Sequence, residues 1–241
     1  MENENRGDLR ISGSGSAPGD TYKNAIINGE GKINGDLDCD DFITNGTSEI
    51  NGSVKAVNFT VRGASSVGGK LQAEEIKISG SVDIQRNVSV KKMKISGSAD
   101  IGGSITAEKC VIKGYFNVKG DCEAEVFVAK GEINIGGMLN AGNIQIDHYG
   151  DCRVKEIGGE RITVKEYTAF GLHKIIKFFH PPGKLFAENI EGDYIYLENT
   201  SVKTVRGSNI KIGPGCEIEL VEYANSFEQE EGALVRENKK V

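Results

Sequence analysis

The side chains best suited to chemistry are three histidines, His148, His173 and His180, and five cysteines, Cys39, Cys110, Cys122, Cys152 and Cys216. Acid–base catalysis needs such a group beside a positioned partner, and no Ser/His/Asp set or carboxylate pair stands out. A structural zinc site needs four nitrogen or sulfur ligands converging on one point, whereas these cysteines are scattered singly. Glycine runs such as Gly13-Ser14-Gly15 lack the strand-to-helix context in which a helix N-terminus meets a phosphate. The sequence therefore predicts no catalytic residues, no metal, no cofactor and no small-molecule substrate, and the chain is expected not to be an enzyme.

The elements that would position any site come from a repeat. One glycine ladder, Gly29, Gly46, Gly63, Gly80, Gly97, Gly114 and Gly131, advances by a constant step of seventeen. A second, Gly35, Gly52, Gly69, Gly103, Gly120 and Gly137, follows it with Arg86 at the one skipped rung. A strict period of this length marks a solenoid, whose units bury their apolar faces only by stacking. Counting from the ladder glycine as zero, apolar residues fall in pairs at positions 2/4, 8/10 and 13/15. The second repeat shows Ile50, Val54/Ala56 and Phe59/Val61. Two-residue spacing is that of a strand with one buried face, and there is no three–four spacing for a helix. Three short strands per repeat, with glycine corners after two of them, predict one triangular turn of a β-helix.

Cys39, Cys110, Cys122 and Cys152 fall on inward positions, where a free thiol acts as a small hydrophobe; Cys216 reads the same way. Outside, Glu74-Glu75 should lie beside Lys91-Lys92 and then Glu108-Lys109, exposed pairs that tune register more than stability.

The expected organisation is a flexible polar leader over 1–20, in which Leu9 and Ile11 could form a strand. A regular β-helix over 21–164, an insertion over 165–184, further coils over 185–223 and a charged, frayed tail over 224–241 follow. Beyond the insertion, Ile195/Leu197 recur as Ile210/Ile212 and Val202/Val205 as Ile218/Val221. Within it, Leu172, Ile175, Ile176, Phe178 and Phe179 suggest a short amphipathic helix bearing lysines and histidines. Two roles suit that helix: capping the solenoid, or contact with a partner or an anionic membrane surface.

Composition narrows the partners. A net charge of −6 argues against nucleic acid. No apolar run is long enough to span a membrane, and the polar opening does not read as an export signal. A cytoplasmic location is expected, with membrane association left open by the insertion. On that expectation, Arg6-Gly7-Asp8 and the sequons at Asn45, Asn58, Asn87 and Asn199 are coincidences. A solenoid end is an unpaired strand over exposed core, a template for a second copy unless blocked. Ala25, Ile27, Ile33 and Leu37 are the residues expected to face that end.

Repeats such as GTSEINGSVKAVNFTVR and GSADIGGSITAEKCVIK resemble those of the bactofilins, polymer-forming cytoskeletal proteins of bacteria. ISGSGSAPGDTY, IEGDYIYLENT and IKIGPGCEIELVEY are similar to a longer variant from Gram-positive bacteria. The resemblance covers about residues 25 to 165. It implies a right-handed β-helix that polymerises end to end without nucleotide, alone or with a paralogue. Scaffolding roles in cell shape, envelope processes or motility are implied with it. The chain departs from the common plan in its insertion and extra coils, and residues 1–20 lack the short apolar targeting stretch of some members. The sequence thus supports a non-catalytic filament scaffold. The alternative is a monomeric or dimeric adaptor whose insertion and later coils hold a protein or membrane partner.

Overall fold

The computed structural model describes residues 6–167 and 183–241. The helix expected around Leu172, Ile175, Ile176, Phe178 and Phe179 lies outside them, as do His173 and His180. Every regular element among the described residues is a β-strand, and the strands stack in parallel as the coils of a β-solenoid. The chain divides into two units, Met1–Lys109 and Cys110–Val241.

The first unit contains β1 (Leu9–Pro18), β2 (Thr21–Asn34), β3 (Leu37–Thr44), β4 (Thr47–Ile50), β5 (Val54–Val61), β6 (Ala64–Val67), β7 (Leu71–Ile78), β8 (Ser81–Ile84) and β9 (Val88–Ile101). The division falls within β10 (Ile105–Val118). Equivalent residues face one another coil after coil: Leu37, Val54, Leu71 and Val88 form one row, and Phe42, Phe59, Ile76 and Met93 another. Each eight-residue strand contains two of the expected apolar pairs. In β5, Val54, Ala56, Phe59 and Val61 point inward, and the alternation skips one residue between the pairs. That skip is the corner that carries no glycine. The four-residue strands carry the third pair, as Ser48 and Ile50 do in β4. The interior rows pack like with like: Phe42 and Phe59 stack with ring centroids 4.7 Å apart, and Ser48 donates a 2.8 Å hydrogen bond to Ser65. Each fully buried Val, Leu, Ile or Phe contributes about 1.5–3 kcal/mol relative to exposure.

The glycine ladders have a steric cause. A Cβ on Gly46, Gly63, Gly80 or Gly97 would fall well inside 3.0 Å of the carbonyl oxygen of the ladder glycine one coil earlier. Gly46, Gly63 and Gly80 do not have a positive φ, so the requirement there is close backbone approach rather than left-handed geometry. The second ladder answers to a row that the sequence reading overlooked, at position 7 of the repeat. Asp36, Ser53, Asn87 and Asp121 each accept a hydrogen bond from the backbone N–H of the equivalent residue one coil on, at 2.7, 3.3, 3.1 and 2.8 Å. Those side-chain oxygens lie where a Cβ on Gly52, Gly69, Gly103 or Gly137 would have to go.

The second unit contains the remainder of β10, β11 (Cys122–His148), β12 (Cys152–Glu166), β13 (Leu185–Leu197), β14 (Thr200–Ile212), β15 (Glu217–Gln229) and β16 (Leu234–Lys240). The register loosens within the expected regular stretch: β11 and β12 shift between Ile135 and Met138. The coils beyond the insertion pair as their apolar recurrence predicts, Ile195 with Ile210 and Val202 with Ile218. A third glycine stack serves them, Gly192 against Gly159 and Gly207 against Gly192.

Three expectations are corrected. Residues 9–18 of the leader are not flexible: they form β1, paired with β2 from Leu9↔Ala25 to Pro18↔Asn34. Ala25, Ile27, Ile33 and Leu37 are consequently interior, each at most 1% exposed, and the first three lie directly beneath Leu9, Ile11 and Ala17. They cannot be end contacts while β1 covers them. The tail is not frayed either, since residues 224–241 complete β15 and form β16. There, Leu234 N–H donates to the Cys216 carbonyl at 2.9 Å and Val241 N–H to the Tyr223 carbonyl at 3.0 Å. Glu222 is held between Arg206 and Lys239.

Replacing Gly80 with alanine forces two coils apart and should lower stability by more than about 2 kcal/mol. At Gly150 the nearest atom to an added Cβ is Glu132 Oε2 at 3.7 Å, an ordinary contact, and the same change should stay within about 0.5 kcal/mol of wild type. Urea unfolding followed by circular dichroism compares the two; equal losses would contradict the steric account of the ladder.

Candidate functional site

The chemically capable side chains are largely turned inward. All five cysteines are buried and unpaired. Burial, reinforced by Asp38, Asp40 and Asp41, pushes the Cys39 thiol up to about 12. Burial likewise raises Cys152 and Cys216 to about 11, and a hydrogen bond with Cys110 followed by burial raises Cys122. Thiolates are the reactive and metal-binding form, so these thiols act as core atoms. Among the described residues, no three His, Cys, Asp or Glu side chains converge as metal ligands.

The charged rows behave as surface features. Lys91 meets Glu74 at 2.9 Å with both side chains more than half exposed, and Glu75 pairs in register with Lys92. Contacts of this type are worth at most about 1 kcal/mol.

The unsatisfied surface lies at strand edges. β1 is paired along one edge only among the described strands. Ile11 and Ala17 face inward from it, while Ser12, Gly13, Ser14, Gly15 and Ser16 are exposed. Arg10 is its one charged residue, 3.7 Å from Asp8. Long side chains, prolines or inward charges would blunt such an edge; apart from Arg10 and Pro18, both near its ends, β1 carries none. Its glycines continue the ladder, since Gly29 stacks on Gly13. This coil was detectable from Ile11, Gly13 and Ala17 standing sixteen residues before Ile27, Gly29 and Ile33.

β16 is also paired along one edge among the described strands, with β15. It is built differently: Leu234 is 57% exposed, and Arg236, Glu237, Lys239 and Lys240 give the strand a dense mixed charge. Among the described residues no helix is long and apolar enough to cross a membrane.

Among the described residues a histidine is buried as well. His148, at the end of β11, is fully buried opposite Glu166, and neither ring nitrogen makes a well-formed hydrogen bond with the described residues. Burial lowers its pKa from the ordinary value; the Glu198 and Gly150 backbone and the Glu166 and Glu198 carboxylates oppose that without reversing it. The unfolded chain therefore takes up a proton near the ordinary histidine value, about 6.5, before the folded chain does. Above that pH the group is neutral in both states; below it, stability falls until the lower folded pKa is reached. His148→Leu should flatten the loss of stability as the pH falls below about 6.5, read as the urea midpoint against pH. An unchanged slope would show that other groups govern acid sensitivity.

Two proteins of Bacillus subtilis (strain 168) are similar to this chain. The uncharacterized protein YhbF is 42% identical over 106 residues, 44% of this chain and 42% of the relative. The uncharacterized protein YhbE is 39% identical over 106 residues, 44% of each chain. The matched stretch thus spans less than half the length of these relatives. No family model and no solved structure matches the chain.

Proposed function

We propose that the chain is a non-catalytic scaffold of bactofilin type that assembles end to end into filaments without nucleotide. The observation carrying this reading is the ungated edge of β1, a ten-residue strand of small polar residues over an apolar coil. Edge pairing uses backbone groups that the fold already holds in place, so no hydrolysis step is required to create the contact. Roughly five outward backbone hydrogen bonds, each net about 0.5–1.5 kcal/mol, would be supplemented by the apolar surface covered. A contact of β1 with β1 is isologous and therefore antiparallel across the junction. The charged β16 edge, which carries Arg236 and Glu237, is the second contact in this reading, and filaments built in this way have no polarity. Scaffolding in cell shape, envelope processes or motility follows from the same reading, as does co-assembly with a paralogue.

High-speed pelleting of the purified chain in physiological salt tests this directly. Wild type and Ser81→Lys, a change on an exposed position of a middle coil, should pellet without nucleotide. Ile11→Lys and Ala17→Lys should stay in the supernatant with unchanged circular dichroism, because damage to a terminal coil stays local in a solenoid. Normal pelleting of both edge variants would sink the claim that β1 is a contact. Raising the salt from 0.1 to 1 M shortens the Debye length from about 10 to 3 Å. It should therefore loosen the charged junction first and leave pairs.

A further inference from the structure

Charge is unevenly placed around the coils of the unit Met1–Lys109. The outward residues at repeat positions 12, 14 and 16 form one face, which includes Arg62, Lys77, Lys92, Lys94 and Lys109, all exposed. From Asn58 to Lys109 that face has one acid, Glu75, and its carboxylate is taken by Lys77 at 2.7 Å. The acids at the adjoining corner, Glu74 and Glu108, face Lys91. Lys94 lies in register with Lys77, like charges on adjacent strands, and Lys109 stands one repeat beyond Lys92. Like charges placed opposite one another work against the stacking of the coils. Lys92, Lys94 and Lys109 make no ion pair among the described residues.

The rest of the face narrows what those cations can meet. Thr60, Ser79 and Ser96 stand between them, short side chains beyond which the lysine ammonium groups project. None of the outward residues from Asn58 to Lys109 on this face is aromatic or a large exposed hydrophobe. A protein partner is held mainly by buried aromatic or apolar anchors. Single-stranded nucleic acid is held by aromatic stacking, and duplex DNA is read by an element that enters a groove. The face offers none of the three. Lysine ammoniums are point charges that accept a phosphate from any direction, and here the strands hold them in a plane.

We propose that this face binds a membrane surface rich in anionic lipid. A fluid headgroup layer presents its negative charge in a plane and rearranges beneath fixed ammonium groups, so neither a pocket nor an apolar anchor is needed. The contact also relieves the repulsion between Lys77 and Lys94, which the coils otherwise bear. Each lysine brought near such a surface strengthens binding by roughly fivefold. The net charge of −6 does not oppose this contact strongly. Stacked sheets lie about 10 Å apart, so acids on the other faces stand beyond the Debye length of about 8 Å at physiological salt. The binding uses no edge residue and none from 165–184, and is therefore independent of filament formation.

Flotation of the full chain with lipid vesicles through a density gradient tests it, because filaments sink while vesicle-bound protein rises. The chain should float with vesicles of equimolar phosphatidylglycerol and phosphatidylcholine, and stay below with phosphatidylcholine alone. The double variant Lys92→Gln, Lys94→Gln should lower the ratio of bound to free protein by about tenfold or more, with unchanged circular dichroism. Lys32→Gln with Lys55→Gln, an equal change of charge on other faces, should float as wild type does. Failure of wild type to float with the anionic vesicles overturns the proposal, as does equal flotation with the neutral ones. So does an unchanged ratio in the Lys92 and Lys94 variant, or an equal loss in the Lys32 and Lys55 variant. Release from the anionic vesicles by duplex DNA at equal phosphate concentration also overturns it, since nucleic acid would then be the better partner.

Discussion

The structure depends on how closely one backbone turn can lie on the next. Parallel coils hydrogen-bond at about 4.8 Å, and at the corners the chain approaches nearer than a Cβ permits. Gly63 rests on Gly46 and Gly80 on Gly63 with a carbonyl oxygen in the space a side chain would take. Once those corners close, the remaining positions have no freedom of register, because a slip of one residue would turn every inward side chain outward. The phenylalanine stack, the Ser48–Ser65 bond and the position-7 oxygen row are consequences of that exact superposition.

The same constraint decides where function can reside. A core built of like side chains in rows draws the cysteines and His148 into the interior. What remains available is edges and outward rows. An edge offers backbone groups in a fixed line, suited to pairing with another copy. A row offers one outward side chain at every coil, and its chemistry can change from coil to coil, as Glu75 beside Lys92 shows. β1 is short in charge and β16 is rich in it, so in the proposed assembly the second junction is the one that depends on ionic strength.

The sequence disclosed the interior well and the boundaries poorly. Ile50, Val54 and Phe59 announce their faces because each has a neighbour above and below, and selection for apolar size is felt at every rung. The later coils were visible for the same reason, even at steps of fifteen and sixteen. β1 and β16 were harder to see, because among the described strands each is paired along one edge only. Ser12 to Ser16 and Arg236 to Lys240 therefore carry no apolar alternation, and their strands are held by backbone pairing. The glycine ladders were found but credited to turn geometry, since a sequence does not show the carbonyl that would strike a Cβ. The Asp36–Ser53–Asn87–Asp121 row was overlooked because its residue types vary while its acceptor oxygen does not. Of the site, Ile11 and Ala17 were legible only by extending the ladder back to Gly13.

Electron microscopy of the purified chain in physiological salt without nucleotide, with a power spectrum from any filaments, tests the central claim most directly. The account predicts straight, unbranched filaments with an axial reflection near 4.8 Å, about the strand spacing, continuing through the subunit junctions. Uniform short particles at every concentration, or filaments whose strands run across the axis differently at the junctions, would contradict it.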